Sequence, residues 1–135
     1  MSKQIFASLL VAATLAACSS AAVHPANQSV VGESSDASFK SDVLSASHPV
    51  FVDFYATWCQ PCKRMSPVVD ELAAKYADRV KFVRVDVEKN SQIANRYGVQ
   101  GLPTFAMFKR GVPVTATMGV QTKEYLDGLI KSTLQ

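Results

Sequence analysis

The sequence predicts an α/β fold, with a central mixed β-sheet flanked by helices on both faces. Short strand-like runs alternate with helix-period segments from Ser29 to the C-terminus, the order that layers helices against a sheet. One run, Val50-Phe51-Val52-Asp53-Phe54-Tyr55-Ala56, is almost continuously apolar, as befits a strand covered on both faces. A tight turn at Lys109-Arg110-Gly111 separates the last two strands, and Pro113 confines the second of them toward a sheet edge.

The elements follow in order. Ser29-Val30-Val31 is a short first strand. A helix is expected from about Asp36 to Ala46, capped by Ser35 or Asp36 and burying Phe39, Val43 and Leu44. Pro49 precedes the central strand, Val50 to Ala56. Beyond Cys62, Val68, Val69, Leu72, Ala73 and Tyr76 recur at helical spacing, with Pro67 expected to bend the axis. Val80 to Val87 reads as a strand, Ser91 to Tyr97 as a short helix, Thr104 to Phe108 and Val112 to Met118 as strands. A final helix, about Thr122 to Leu134, is expected to bury Tyr125, Leu126, Leu129, Ile130 and Leu134, and Tyr55, Phe105 and Phe108 are assigned to the core.

The chain has 135 residues, 48% of them hydrophobic and 19% charged, which suits one globular domain able to fold without disulfide staples. Its three cysteines are therefore not a framework: Cys18 stands alone, and Cys59 with Cys62 forms a C-x-x-C pair. A scattered net charge of +3 gives no footprint for nucleic acid, and two histidines, His24 and His48, leave little material for a metal site. Lys3 followed by the largely apolar stretch Ile5 to Ala17, 13 residues long, reads as an export signal over residues 1–17, because a spanning helix needs about 20. Leu15-Ala16-Ala17-Cys18 resembles the bacterial lipobox, which implies removal of 1–17 and lipid modification of Cys18; the alternative is an ordinary secretory signal with Cys18 near its cleavage point. Residues 18–28 are small and polar and read as a tether, leaving 29–135 as the domain.

The chemistry sits at Trp58-Cys59-Gln60-Pro61-Cys62-Lys63, between the buried strand and an amphipathic helix. A cysteine at a helix N-terminus has its thiolate stabilised by unpaired N–H groups and the positive dipole end. Cys59 is thus placed to attack a disulfide, and Cys62, one turn further in, to resolve the mixed disulfide that forms. Haem attachment would need histidine after the second cysteine, where Lys63 stands, and zinc would need two further ligands at suitable spacing, whereas both histidines lie N-terminal to the pair. Asp53 interrupts the apolar strand, and burial is expected to raise its pKa.

Residues 29–134 resemble thioredoxin. The likeness rests on several separated motifs: Val52-Asp53-Phe54-Tyr55-Ala56, the Trp58 to Lys63 segment, Tyr97-Gly98-Val99 with Gly101-Leu102-Pro103-Thr104, Phe108-Lys109 with Gly111, and Gly119. It departs from the family's common pattern at Gln60, where glycine is usual, and at Arg84, where lysine often lies near the aspartate. The resemblance implies a thioredoxin fold and a thiol–disulfide oxidoreductase with Cys59 and Cys62 as the redox disulfide. Asp53 would exchange a proton with Cys62. Pro103 would be cis, and Trp58, Gln60, Pro61, Leu102, Pro103, Thr104 and Gly119 would form the substrate-binding surface. The expected partners are protein disulfides, a membrane thiol electron donor and, through Cys18, a membrane facing the periplasm or another extracytoplasmic space; no cofactor, metal or nucleic acid is expected, and the domain would be a monomer. Disulfide reduction is favoured by Gln60-Pro61, with disulfide oxidation or isomerisation, or a client-binding module without turnover, as the alternatives.

Overall fold

The computed structural model describes residues 30–135. The strands are β1 (Val31–Glu33), β2 (Val50–Tyr55), β3 (Lys81–Asp86), β4 (Thr104–Lys109) and β5 (Val112–Met118); the helices are α1 (Gln60–Tyr76), α2 (Ser91–Arg96) and α3 (Lys123–Leu134). The five strands form one sheet in the order β1-β3-β2-β4-β5. β3 runs parallel to both β1 and β2, whereas β4 is antiparallel to β2 and β5, so the sheet is mixed as expected.

Alternation of side chains along the strands sorts the core into two layers. Phe51 of β2, Phe82 of β3 and Phe105 and Met107 of β4 pack beneath α1 and α3, against Met65, Val69, Leu72, Leu126 and Ile130. The intervening residues, Val50, Val52, Phe54, Val83, Val85, Ala106 and Phe108, form the opposite layer with Phe39, Val43 and Ile93. Burying a side chain such as Leu72 or Phe51 contributes roughly 1.5–3 kcal/mol. Asp53 and Arg84 share the parity of the first layer, and they are direct register partners across the β2–β3 ladder. The fold therefore sends both charges toward α1. Pro67 lies within α1, which continues through it to Tyr76.

The β4–β5 hairpin closes through Arg110 and Gly111, at φ of 55° and 76°, the left-handed pair that suits a two-residue hairpin turn. A Cβ on Gly111 would come within 2.6 Å of the Leu44 carbonyl oxygen, so this position excludes other residues twice over, by φ and by space. Lys109 donates to the Thr133 carbonyl at 2.7 Å and ties the last turn of α3 to the sheet.

Three expectations need correction. The segment from Asp36 to Ala46 is not an α-helix: residues 36–38 form a turn and Lys40–Leu44 a single π-helical turn. The serines explain the break, because the Ser35 and Ser38 hydroxyls each accept a bond from the other's backbone N–H and so divert the local backbone from a regular ladder. Asp36, expected to cap its own helix, instead caps α2: its carboxylate accepts from Ile93 N at 2.9 Å and Gln92 N at 3.3 Å. Asn90, the residue preceding α2, makes no side-chain cap of its own and accepts from Asp36 N at 2.9 Å. Phe39 and Val43 are nonetheless buried, and Leu44 is half-buried.

The other two concern tyrosines. Tyr125, one position from the buried stripe of Leu126 and Ile130, is turned about 100° from it and is 48% exposed. Tyr55 is half-buried rather than core, at the end of β2, with its hydroxyl donating to the Glu33 carboxylate at 3.2 Å. Phe105 and Phe108 are buried as expected. The short first strand lies at Val31–Glu33, two residues beyond its expected start. The expected leader, Cys18 and the tether lie outside the described residues.

Because Asp36 satisfies two N–H groups at the start of a helix with no other side-chain cap, Asp36→Ala is expected to lower stability by roughly 1–2 kcal/mol. Urea unfolding at neutral pH measures this, and native-state hydrogen exchange should show the loss as faster exchange at Gln92 and Ile93.

Candidate active site

Four residues connect β2 to α1, and the last of them is Cys59. Its backbone is extended (φ −74°, ψ 103°) and its Sγ accepts from Cys62 N at 3.2 Å, so the sulfur itself caps the helix. Pro61 occupies the first turn, where its missing N–H removes no helical bond. Cys59 and Cys62 are joined as a disulfide with Cα atoms 5.3 Å apart. Both are buried, at 3% and 6% exposure, and pack with Ala56, Tyr55, Val87 and Leu102. A sulfur that accepts a helix-terminal N–H is also where negative charge would be best stabilised after reduction.

A groove of about 450 Å³ runs beside the disulfide. Trp58, Cys59, Pro61 and Leu102 line it, together with Val87, Ser91, Ala94, Asn95, Val99, Gln100 and Gly101. Trp58 is 64% exposed. The Leu102–Pro103 peptide is cis, as the resemblance implied. Pro103 itself is buried, and its carbonyl accepts from Gly119 N at 2.8 Å; the Thr104 hydroxyl donates to Gly101 O at 2.7 Å. Thr104, Pro103 and Gly119 thus hold the loop that presents Gly101 and Leu102, while Gln60 is exposed and does not line the groove. The α2 contribution, Ser91, Ala94 and Asn95, escaped sequence reasoning because nothing local to a six-residue helix marks it as facing a cysteine pair some thirty positions earlier.

On the other side of Cys62 lies a smaller cavity of about 220 Å³, lined by Asp53, Tyr55, Ala56, Thr57, Cys62, Lys63, Ser66 and Arg84. Asp53 is 3% exposed. Arg84 Nε donates to its Oδ2 at 3.2 Å, and Oδ1 is buried without a hydrogen-bond partner among the described residues. Burial pushes the Asp53 carboxyl up to about 6 against the pull of Arg84, which acts to lower it. Desolvation outweighs the ion pair here. Tyr55 is pushed up to about 12, by burial first and by Glu33 second.

A family model described as Thioredoxin matches residues 30–132. The chain belongs to the thioredoxin family. It is 45% identical over 98 residues to Thioredoxin 1 of Synechococcus elongatus, covering 73% of this chain and 92% of that protein. It is 43% identical over 96 residues to the thioredoxin of Pyropia yezoensis, with 71% and 90% covered, and 39% identical over 100 residues to that of Acidithiobacillus ferridurans, with 74% and 93% covered. A thioredoxin-family domain with Cys59 and Cys62 joined at the head of α1 is a disulfide oxidoreductase, and protein disulfides are the substrate class that the family suggests.

The thioredoxin fold holds Asp53 at a cost that depends on pH. Folded Asp53 keeps its proton up to about pH 6, whereas the unfolded carboxyl titrates near 3.8. The stability this group contributes is present below pH 3.8 and is lost as pH rises through 6, a loss of roughly 3 kcal/mol. Asp53→Asn should remove that slope, so the variant gains on the wild type by roughly 3 kcal/mol between about pH 3.5 and pH 7.5. Denaturant titrations of both proteins across this window test it; parallel stability curves would refute the burial argument.

Proposed function

We propose that the protein is an extracytoplasmic protein-disulfide reductase, anchored to a membrane by lipid on Cys18. The observation that carries the catalytic part is the Cys59–Cys62 disulfide capping α1 beside an open, largely apolar groove.

In the reduced protein the Cys59 thiolate attacks one sulfur of a substrate disulfide. A Cys59–substrate disulfide forms and the other substrate sulfur leaves as a thiolate. Cys62 then loses its proton and attacks Cys59 Sγ. The internal disulfide closes and the second substrate sulfur is released, so two electrons pass to the substrate and two thiols leave it. Asp53, ionised above about pH 6 and lining the same cavity as Cys62, is the base that takes the Cys62 proton. Trp58, Pro61 and the Leu102–Thr104 loop, held by Gly119, bind the extended substrate chain, with Leu102 backbone beside the reacting sulfurs. A membrane thiol donor returns the disulfide to the dithiol.

The location rests on the leader: Lys3, the Ile5–Ala17 stretch and Leu15-Ala16-Ala17-Cys18. Disulfides persist outside the cytoplasm, so a reductase there needs electrons delivered across the membrane, and a lipid anchor keeps it near such a donor.

Insulin reduction with dithiothreitol as donor should fall to background in Cys59→Ser, and Cys62→Ser should accumulate the mixed disulfide with substrate, visible on non-reducing gels. Unchanged turnover in Cys59→Ser would refute the mechanism. Cys18→Ala should move the protein from the membrane fraction to the soluble fraction; a variant still sedimenting with membranes would remove the anchor.

A further inference from the structure

Arg84 divides its hydrogen bonds between two elements. Nε donates to Asp53 Oδ2 on β2 at 3.2 Å, whereas Nη2 lies 3.4 Å from the Ser66 carbonyl oxygen and 3.5 Å from Asp70 Oδ1, both on α1. The two carboxylates differ sharply in setting: the Asp53 side chain is 4% exposed and that of Asp70 50%. A guanidinium meeting a buried carboxylate commonly closes on it with two parallel N–H···O bonds. Here Asp53 receives one, and its Oδ1 has none among the described residues.

We propose that Asp70 is a positioning residue for the redox site: by engaging Nη2 it keeps Arg84 spread between β3 and α1, prevents the guanidinium from closing on Asp53, and leaves Oδ1 unbonded in the cavity shared with Cys62. This inference rests on the reading of Asp53 as the proton acceptor, and it extends that role to a residue that never touches the sulfurs. Arginine is required for the arrangement. Its planar fork offers Nε and Nη2 to separate partners at once, whereas a lysine ammonium is a single point charge that must choose.

The Ser66 carbonyl shares Nη2 with Asp70 but carries no charge, and the other groups around Asp53 do not reach Nη2. From β1, Glu33 acts on Asp53 at a distance while bonded to Tyr55 of β2. From α1, Lys63 lines the same cavity and Cys62 is held in the disulfide. From β4, the register partner is Phe105, which does not titrate.

The test is the titration of the Asp53 carboxyl carbon by carbon-13 NMR, on the oxidised full chain in detergent micelles. Asp70→Asn should lower the midpoint by roughly 0.5–1 pH unit, from the lost negative charge and from closure of Arg84 on Asp53. Asp70→Glu should restore the wild-type value. In the Arg84→Lys background the same Asp70→Asn change should move the midpoint by no more than about half as much. An unmoved midpoint in Asp70→Asn overturns the proposal, and so does an equal shift in both backgrounds, which would mark a through-space charge with no positioning. Because the titration is read on the disulfide form, it does not depend on turnover. If Asp53→Asn reduced insulin at the wild-type rate, the acceptor role would fail while the Arg84 geometry stood.

Discussion

A carboxylate sits in the middle of the most buried strand of this protein, and the arrangement of the redox site follows from how it is accommodated. β2 is covered on both faces, and Asp53 takes the parity of the layer under α1. An isolated charge there would cost several kcal/mol. The parallel β2–β3 register supplies the remedy, because it sets Arg84 directly beside Asp53 on the same face. The same parity aims both groups at the first turns of α1, where Cys62 lies. Strand alternation, one ladder and one helix start thus converge on a single cavity.

The two sides of the disulfide are built for different tasks. On one side Trp58, Pro61 and Leu102 line an open groove, which on the proposed function receives the extended substrate chain. The cavity on the other side has half the volume, and Asp53, Arg84, Tyr55 and Ser66 line it. The groove side is held by backbone: Gly119 N bonds Pro103 O, which seats the loop ahead of β4. The proton side is held by side-chain charges. Substitutions in the first are expected to alter binding, and substitutions in the second to alter pH dependence.

What could be read from the sequence was what is local. The apolar run from Val50 announces β2, the C-x-x-C announces the head of α1, and alternation around Pro113 announces an edge strand. The sulfur pair and Asp53 could each be named before any coordinate because each lies within or beside such a run, whereas Pro103 is named from the family resemblance. What stayed hidden depends on contacts between distant segments. Asp36 resembles the cap of the segment it opens, yet it serves α2, 57 positions away. Tyr125 fits a helical stripe in one dimension, but α3 buries a stripe too narrow to include it. Asp70 gave no sign at all: on an exposed helical face a lone carboxylate is indistinguishable from a solubilising one until Arg84 is seen beside it.

Arg84 also shows why an ion pair need not be read as a stability device. With a permanent cation 3.2 Å away, an exposed aspartate would titrate well below its ordinary value; Asp53 titrates near 6 because the burial penalty exceeds the pull of one charge-assisted hydrogen bond. A second bond to Oδ1 would tilt that balance toward the ionised form and fix it there across the physiological range. No pairing at all would push the group further up and leave it protonated at neutral pH. The single bond sits between these limits, which places the carboxyl where it can both hold and release a proton near neutrality. On the proposed mechanism that intermediate setting is the requirement on a base serving Cys62. It is achieved by sharing one guanidinium between a buried acid and an exposed one, so a surface charge on α1 becomes part of the chemistry of the interior.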